Sequence, residues 1–257
     1  MNIAIILAGG TGTRVGAGIP KQFIVVQGKT ILAYTLEIFQ KNENIDAIEI
    51  VCHKDWVTEV NRICRESQIT KKKWVCTGGD TFQESTMKGI LNLKGEISRE
   101  DIVVISFGVA PMTPQEDIND SIRVCKKRGN AIAAADIDLC TCIKDDEFSS
   151  TQSLLRERLK GFANPWTFHF GELCDAYEEA IRRDMLKELE PHTTSLYFAL
   201  GKRIWFSQST TVQCKITHLA DLDVFEGYLL LEKYRSSAKK ITDVTGKETR
   251  NDHLQRI

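Results

Sequence analysis

Apolar residues along this chain form short runs that alternate with stretches of helical spacing. The run 3–7 (Ile-Ala-Ile-Ile-Leu) is too short for a helix and ends near glycines, so it predicts a buried first strand. Over 31–42, Ile31, Leu32, Leu36, Ile38 and Phe39 recur at helical spacing and predict the first long helix. A strand at 47–51 and a helix at 54–67 follow, the helix with Val57, Val60 and Ile63 at core positions. A short strand at 74–77, a helix at 85–91, a buried strand at 101–106, a helix at 119–128 and a strand at 130–135 continue the alternation. A long amphipathic helix at 172–189, a strand at 204–206 and a last helix at 221–234 complete it. Strands alternating with helices imply an α/β fold with a mostly parallel sheet covered on both faces. Ligands of such sheets bind beyond the carboxyl ends of the strands. The loops after Leu7, Thr77 and Ile105 then meet at one edge.

Composition narrows the class. At 257 residues the chain suffices for one large α/β domain or two small ones. A net charge of -1 gives no global field that would attract nucleic acid. No apolar run is long enough to span a membrane and the opening run is too short for a signal peptide, so a cytoplasmic protein is expected. Its eight cysteines are then most simply reduced thiols. Cys140 and Cys142 stand too close for a usual zinc pair, and no second pair with ligand spacing follows.

The first strand empties into Leu7-Ala8-Gly9-Gly10-Thr11-Gly12-Thr13-Arg14-Val15-Gly16, followed by Pro20-Lys21-Gln22. Glycines bring bare N–H groups against a phosphate, and Arg14 and Lys21 add charge at the same loop. A turn without a ligand is the bland alternative. A dinucleotide fingerprint fails on its glycine spacing and lacks the acidic residue that should follow. A Walker A loop fails because Lys21 is neither preceded by glycine nor followed by Ser or Thr. A loop that wraps a nucleoside triphosphate remains. The helix beginning at Ser85, after Gly78-Gly79, presents a second N-terminus to an anion, with a plain helix cap as the alternative.

Residues 7–16 with Pro20-Lys21-Gln22-Phe23 resemble the signature of the sugar nucleotidylyltransferases. The Pro-Lys-Gln version is similar to the cytidylyltransferases acting on 2-C-methyl-D-erythritol 4-phosphate or ribitol 5-phosphate, over residues 1 to about 235. The resemblance implies a three-layer, Rossmann-like nucleotidyltransferase domain over 1–235. It also implies a protruding β-arm at about 136–160 that crosses to a partner in a homodimer, for which a plain surface hairpin is the alternative. Residues 236–257 are a charged extension. Leu7, Ala8, Gly9, Gly10, Gly12, Thr13, Gly78, Gly79 and Ser85 are then nucleotide-binding, and Arg14 and Lys21 cover the triphosphate. Lys215, in Lys215-Ile216-Thr217 before Ala220-Asp221-Leu222, reaches the α-phosphate.

The acceptor half of the pattern is rewritten. Aligned on Pro111, Phe107 stands where the resemblance implies a magnesium-binding Asp, and Ala110 where it implies a substrate-binding Arg. A phenyl ring cannot coordinate a hard cation. Phe82, Leu139 and His192 also replace polar residues of the pattern, and Arg156, with Arg158 as the alternative in register, matches an arm arginine that contacts substrate phosphate. A loop histidine such as His192 is more often structural than a base. The implied activity is transfer of CMP from CTP to a phosphorylated sugar alcohol or similar acceptor, for isoprenoid or cell-surface polysaccharide precursors. Mg2+ would be carried with CTP, with no protein ligand named. Two readings stay open: an active cytidylyltransferase with an altered acceptor, or a nucleotide-binding relative that regulates or scaffolds a partner. An oxidoreductase is a distant third.

Overall fold

The computed structural model describes residues 1–10, 19–210 and 215–245. Strand β1 (Asn2–Ala8) leads, after a 3-10 turn at Lys21–Phe23, to the small hairpin β2 (Val25–Val26) and β3 (Lys29–Thr30). Helix α1 (Ile31–Lys41) starts where the Thr30 hydroxyl accepts the Ala33 N–H. Strand β4 (Ala47–Cys52) follows. The region 54–67 divides into a 3-10 turn, Lys54–Trp56, and α2 (Val57–Glu66). Next come β5 (Lys72–Thr77), α3 (Phe82–Asn92), β6 (Ile102–Phe107) and α4 (Gln115–Arg128). Helix α4 carries Glu116 and Asp117 in its first turn and three cations in its last, in keeping with the helix dipole. Strand β7 (Asn130–Asp136), the hairpin β8 (Thr141–Ile143) and β9 (Gln152–Leu154), and β10 (Lys160–His169) follow. Helix α5 (Phe170–Arg182), α6 (Thr193–Ala199), β11 (Phe206–Ser207) and α7 (Ala220–Thr245) end the described chain.

Seven strands form one sheet in the order β11-β7-β10-β6-β1-β4-β5. All neighbours are parallel except β10, which runs antiparallel between β6 and β7. The alternation along β1 splits its side chains between two cores. Ala4 and Ile6 join Leu36, Phe39, Val60, Ile63, Ile118 and Ile122 on the face covered by α1, α2 and α4. Ile3, Ile5 and Leu7 join Ile90, Leu173, Ala176, Tyr177 and Leu196 on the face covered by α3, α5 and α6. This is the three-layer α/β arrangement that the sequence predicts. A third, smaller cluster pins Ile216, ahead of α7, and Phe225, within it, against Val26, Ile31, Val109 and Met112.

Several boundaries differ from the sequence reading. Helix α3 starts at Phe82 rather than Ser85, because Thr81 and Glu84 form a capping box there. Helix α4 starts four residues before the expected Asn119, directly after Pro114. The helix expected at 172–189 is α5, Phe170–Arg182, and a separate short helix, α6, follows Pro191. Strand β10 is unforeseen. Its register on β7 shifts between Phe162 and Trp166, and Pro165, which has no N–H to give a ladder, lies in that irregular stretch. Helix α7 runs unbroken past residue 235. Over 136–160 the structure contains the exposed hairpin β8–β9, with Asp145 and Asp146 in its turn. No helix among the described residues is long and apolar enough to cross a membrane.

Candidate active site

A cavity of about 510 Å³ opens beyond the carboxyl ends of β1, β5 and β6. Leu7, Ala8, Gly9 and Gly10 line it from the end of β1. The side chain of Gln22, only 2% exposed, donates to the carbonyls of Ala8 at 2.8 Å and Gly10 at 2.9 Å. It thereby fixes the start of the glycine loop and leaves the neighbouring Lys21 on the cavity wall. Sequence reasoning placed Gln22 in the motif without giving it this role; a polar residue next to a glycine loop that needs bracing was the available signal. Gly12, Thr13 and Arg14 lie outside the described residues.

The second glycine loop faces the first. Ser85, in the first turn of α3, accepts the Gly79 N–H at 3.1 Å and donates to the Gly79 carbonyl at 3.2 Å. Gly78 donates to the Cys52 carbonyl at 2.9 Å. A Cβ at Gly78 would stand 2.8 Å from Ser85 Oγ, and one at Gly79 would collide with Glu84 Cβ. Only glycine permits this approach. Gly79, Asp80, Thr81, Phe82 and Ser85 line the cavity, while Gly78 braces the loop from behind. His53, which no sequence signal singled out, also lines it.

The end of β6 builds the opposite wall from rings. Phe107 packs against Phe82 at 5.4 Å and Trp166 at 5.6 Å between centroids, and His192 contacts Phe82 at 5.4 Å and Trp166 at 5.7 Å. Phe82, Phe107 and His192 line the cavity. His192 is thus the residue preceding α6 and part of an aromatic cluster, which favours the structural role over that of a base. Asn164 of β10 orders this wall: it accepts the Phe107 N–H at 3.3 Å and donates to Ser106 Oγ at 2.9 Å and Thr113 Oγ1 at 3.0 Å.

Lys215 approaches over the face of Phe107, its Nζ 4.0 Å from the ring centroid. The Ile216 N–H donates to the Val109 carbonyl at 2.9 Å. Asp221 accepts the N–H groups of Thr217 at 2.6 Å and His218 at 2.8 Å. The His218 N–H, more than any other group, holds the Asp221 carboxyl below its usual pKa, with smaller help from Lys21. The structure therefore brings together Lys21, Lys215, the two glycine loops, Ser85 and Phe107. Among the described residues, three expected site residues, Gly78 behind its loop, Ala110 and Arg156, do not line the cavity. Ala110 is buried behind it, its carbonyl accepting the Thr113 hydroxyl at 3.0 Å, because the 107–113 turn points that side chain into the core. Arg156 lies on the hairpin, where it donates to the Asp138 carbonyl at 2.8 Å. Arg158 stands beside it in the same exposed 3-10 turn.

The donor set does not fit a magnesium ion gripped by protein carboxylates. Among the described residues no three His, Cys, Asp or Glu side chains come together, and Asp80 is the one carboxylate lining the cavity. What the wall offers is cationic and donor-rich: two lysines and the exposed backbone of two glycine loops. Such a wall suits a polyanion held without covalent chemistry.

A parallel α/β sheet whose first strand feeds a braced glycine loop, with lysines converging on it from two distant segments, defines a nucleotidyltransferase. Comparison with known proteins narrows this. The sequence model of the IspD family, 2-C-methyl-D-erythritol 4-phosphate cytidylyltransferase, matches residues 2–230. The ribitol-5-phosphate cytidylyltransferase of Lacticaseibacillus paracasei is 34% identical over 229 residues, which cover 89% of this chain and 98% of that protein. The 2-C-methyl-D-erythritol 4-phosphate cytidylyltransferase of Clostridium novyi is 31% identical, over 89% of this chain and 96% of that one. In fold, the 4-diphosphocytidyl-2C-methyl-D-erythritol synthase of Anaerococcus prevotii superposes with a TM-score of 0.75 at 21% identity, over 90% of this chain and 96% of that one. The chain belongs to the IspD family of cytidylyltransferases.

Proposed function

We propose that this protein transfers a cytidylyl group from CTP to a phosphorylated sugar alcohol and releases pyrophosphate. The observation that carries the reading is the convergence of Lys21 and Lys215 on one cavity with both glycine loops. An oxygen of the acceptor phosphate attacks the α-phosphorus in line. The new P–O bond forms as the bond to the β-phosphate oxygen breaks, and the electron pair leaves with pyrophosphate. No general base is needed, because the attacking phosphate is already ionised near neutral pH.

Lys215 stabilises charge building on the α-phosphate, while Lys21, with Arg14 of the same loop, covers the β- and γ-phosphates and the leaving group. The backbone of Ala8, Gly9 and Gly79, with Ser85, reads the base. The aromatic wall of Phe82, Phe107 and His192 faces the acceptor. Mg2+ arrives with the triphosphate in this reading, and the sparse carboxylates of the cavity agree with that. We further propose a homodimer through the β8–β9 hairpin, supported by the exposure of Phe148 (91%) and Leu139 (79%). Pairing there would let Arg156 serve a neighbouring subunit's acceptor.

Replacement of the expected Asp by Phe107 favours one competing reading, a nucleotide-binding relative without turnover. Pyrophosphate release separates the two. With CTP, ribitol 5-phosphate and 2-C-methyl-D-erythritol 4-phosphate are the first acceptors to assay, with UTP, ATP and GTP as controls. Release with CTP and either acceptor supports the enzyme. CTP binding without pyrophosphate release in the presence of any phosphorylated polyol supports the relative without turnover.

A further inference from the structure

We infer that the face of Phe107 is the seat of the Lys215 ammonium, so that the end of β6 positions a cation built into the chain where the sequence resemblance implies a metal-binding carboxylate. Both partners of the contact are held independently. Phe107 is fixed through its backbone by Asn164 and through its ring by Phe82 and Trp166. Lys215 is fixed by the bond from Ile216 to Val109 and by the Asp221 cap two residues further on. The 4.0 Å approach of Nζ to the ring thus joins two anchored segments, 108 residues apart in sequence, rather than one wandering side chain and a surface.

The chemistry of the seat explains why a ring serves here. A carboxylate at 107 would pair with Lys215, cancel its charge and repel an incoming triphosphate. The negative face of a phenyl ring attracts the ammonium and leaves its formal charge intact. A lysine on a four-carbon stem is otherwise costly to orient, and a preset seat removes part of that cost before the anion arrives. Phe107 is therefore a positioning residue acting through Lys215. Its kinetic consequence rests on the function proposed above; its structural content does not.

The test uses the full chain with fluorinated phenylalanines at 107, from one to five fluorines, which drain the ring face at nearly constant shape. Lysine labelled with 13C at Cε reports the seat directly, with Lys215→Arg assigning the resonance. In the ligand-free protein the Lys215 CεH2 protons are expected to be shifted upfield by the ring current, and the shift is expected to vanish in Phe107→Leu. For kcat/KM with CTP, a stepwise decline with fluorine number is expected, reaching about 3- to 30-fold in the pentafluoro protein, with an unchanged melting temperature. Phe107→Tyr should retain most activity. An unshifted Lys215 resonance in the ligand-free protein overturns the inference whether or not the protein turns over CTP. With the resonance shifted, equal activity across the fluorine series overturns the positioning role and leaves the proposed reaction standing.

Discussion

The two walls of the cavity are made in different ways. The wall at β1 and β5 is built from backbone: Gly9, Gly10 and Gly79 stand bare, braced by Gln22 and Ser85. The wall at β6 is built from side chains, with Phe107, Phe82 and His192 exposed to the cavity and Asn164 ordering them from behind. A backbone wall tolerates little change, since any Cβ at Gly78 or Gly79 meets Ser85 or Glu84. A side-chain wall can be rewritten one residue at a time without disturbing the sheet beneath it. The difference teaches where this protein keeps its family's chemistry and where it departs. In the proposed function the first wall holds the triphosphate by backbone geometry, and the second, facing the acceptor, is open to substitution.

Lys215→Ala breaks the account at the point where the walls meet and should have the largest effect. We expect kcat to fall by about 10²–10³-fold with little change in CTP affinity, because the charge acts on the transition state. Steady-state kinetics beside calorimetric titration checks this, and equal losses in both would remove the role. Gly79→Val attacks the backbone wall. The clash with Glu84 should weaken CTP binding by about 10-fold or more, at roughly 1.4 kcal/mol per decade, read by the same titration.

A third prediction concerns the support beneath the backbone wall. Glu49 of β4 is fully buried beside Gly89 of α3, and burial pushes its carboxyl up to about 8, tempered by a hydrogen bond from Asn92 at 2.8 Å. The folded state thus holds the proton more tightly than the unfolded chain. The stability this gives is complete below about 4.5 and is lost as pH rises to about 8. The melting temperature should fall over that window, and Glu49→Gln should flatten the decline. Ser85→Ala is expected to have the smallest effect. It removes both bonds to Gly79 and should cost about 1 kcal/mol, seen as a few-fold loss of CTP affinity with turnover at saturation nearly intact.

Features written locally were legible in the sequence. Ile3 to Leu7 announces a buried strand, and the glycines with Lys21 announce the loop that lines the cavity, because neighbours along the chain carry the whole signal. Strand β10 escaped because Gly161, Asn164 and Pro165 interrupt its alternation, and only pairing with β6 and β7 makes it a strand. Helix α6 escaped because Pro191 and His192 read as loop. The start of α3 falls before Ser85 because Thr81 and Glu84 form a reciprocal cap, a signal spread over four residues rather than carried by apolar spacing. The aromatic wall draws Phe82, Phe107, Trp166 and His192 from four separate segments, and no periodicity within a window brings such residues together. Phe107 was visible as a departure from the family pattern, but its contact with Lys215 exists only in three dimensions.

The most direct measurement is CTP-dependent pyrophosphate release in the presence of ribitol 5-phosphate, run beside the Lys215→Ala protein. The account predicts release that requires both CTP and the phosphorylated acceptor and that collapses in the variant. The absence of release with any phosphorylated polyol, or release that survives loss of Lys215 unchanged, would contradict it.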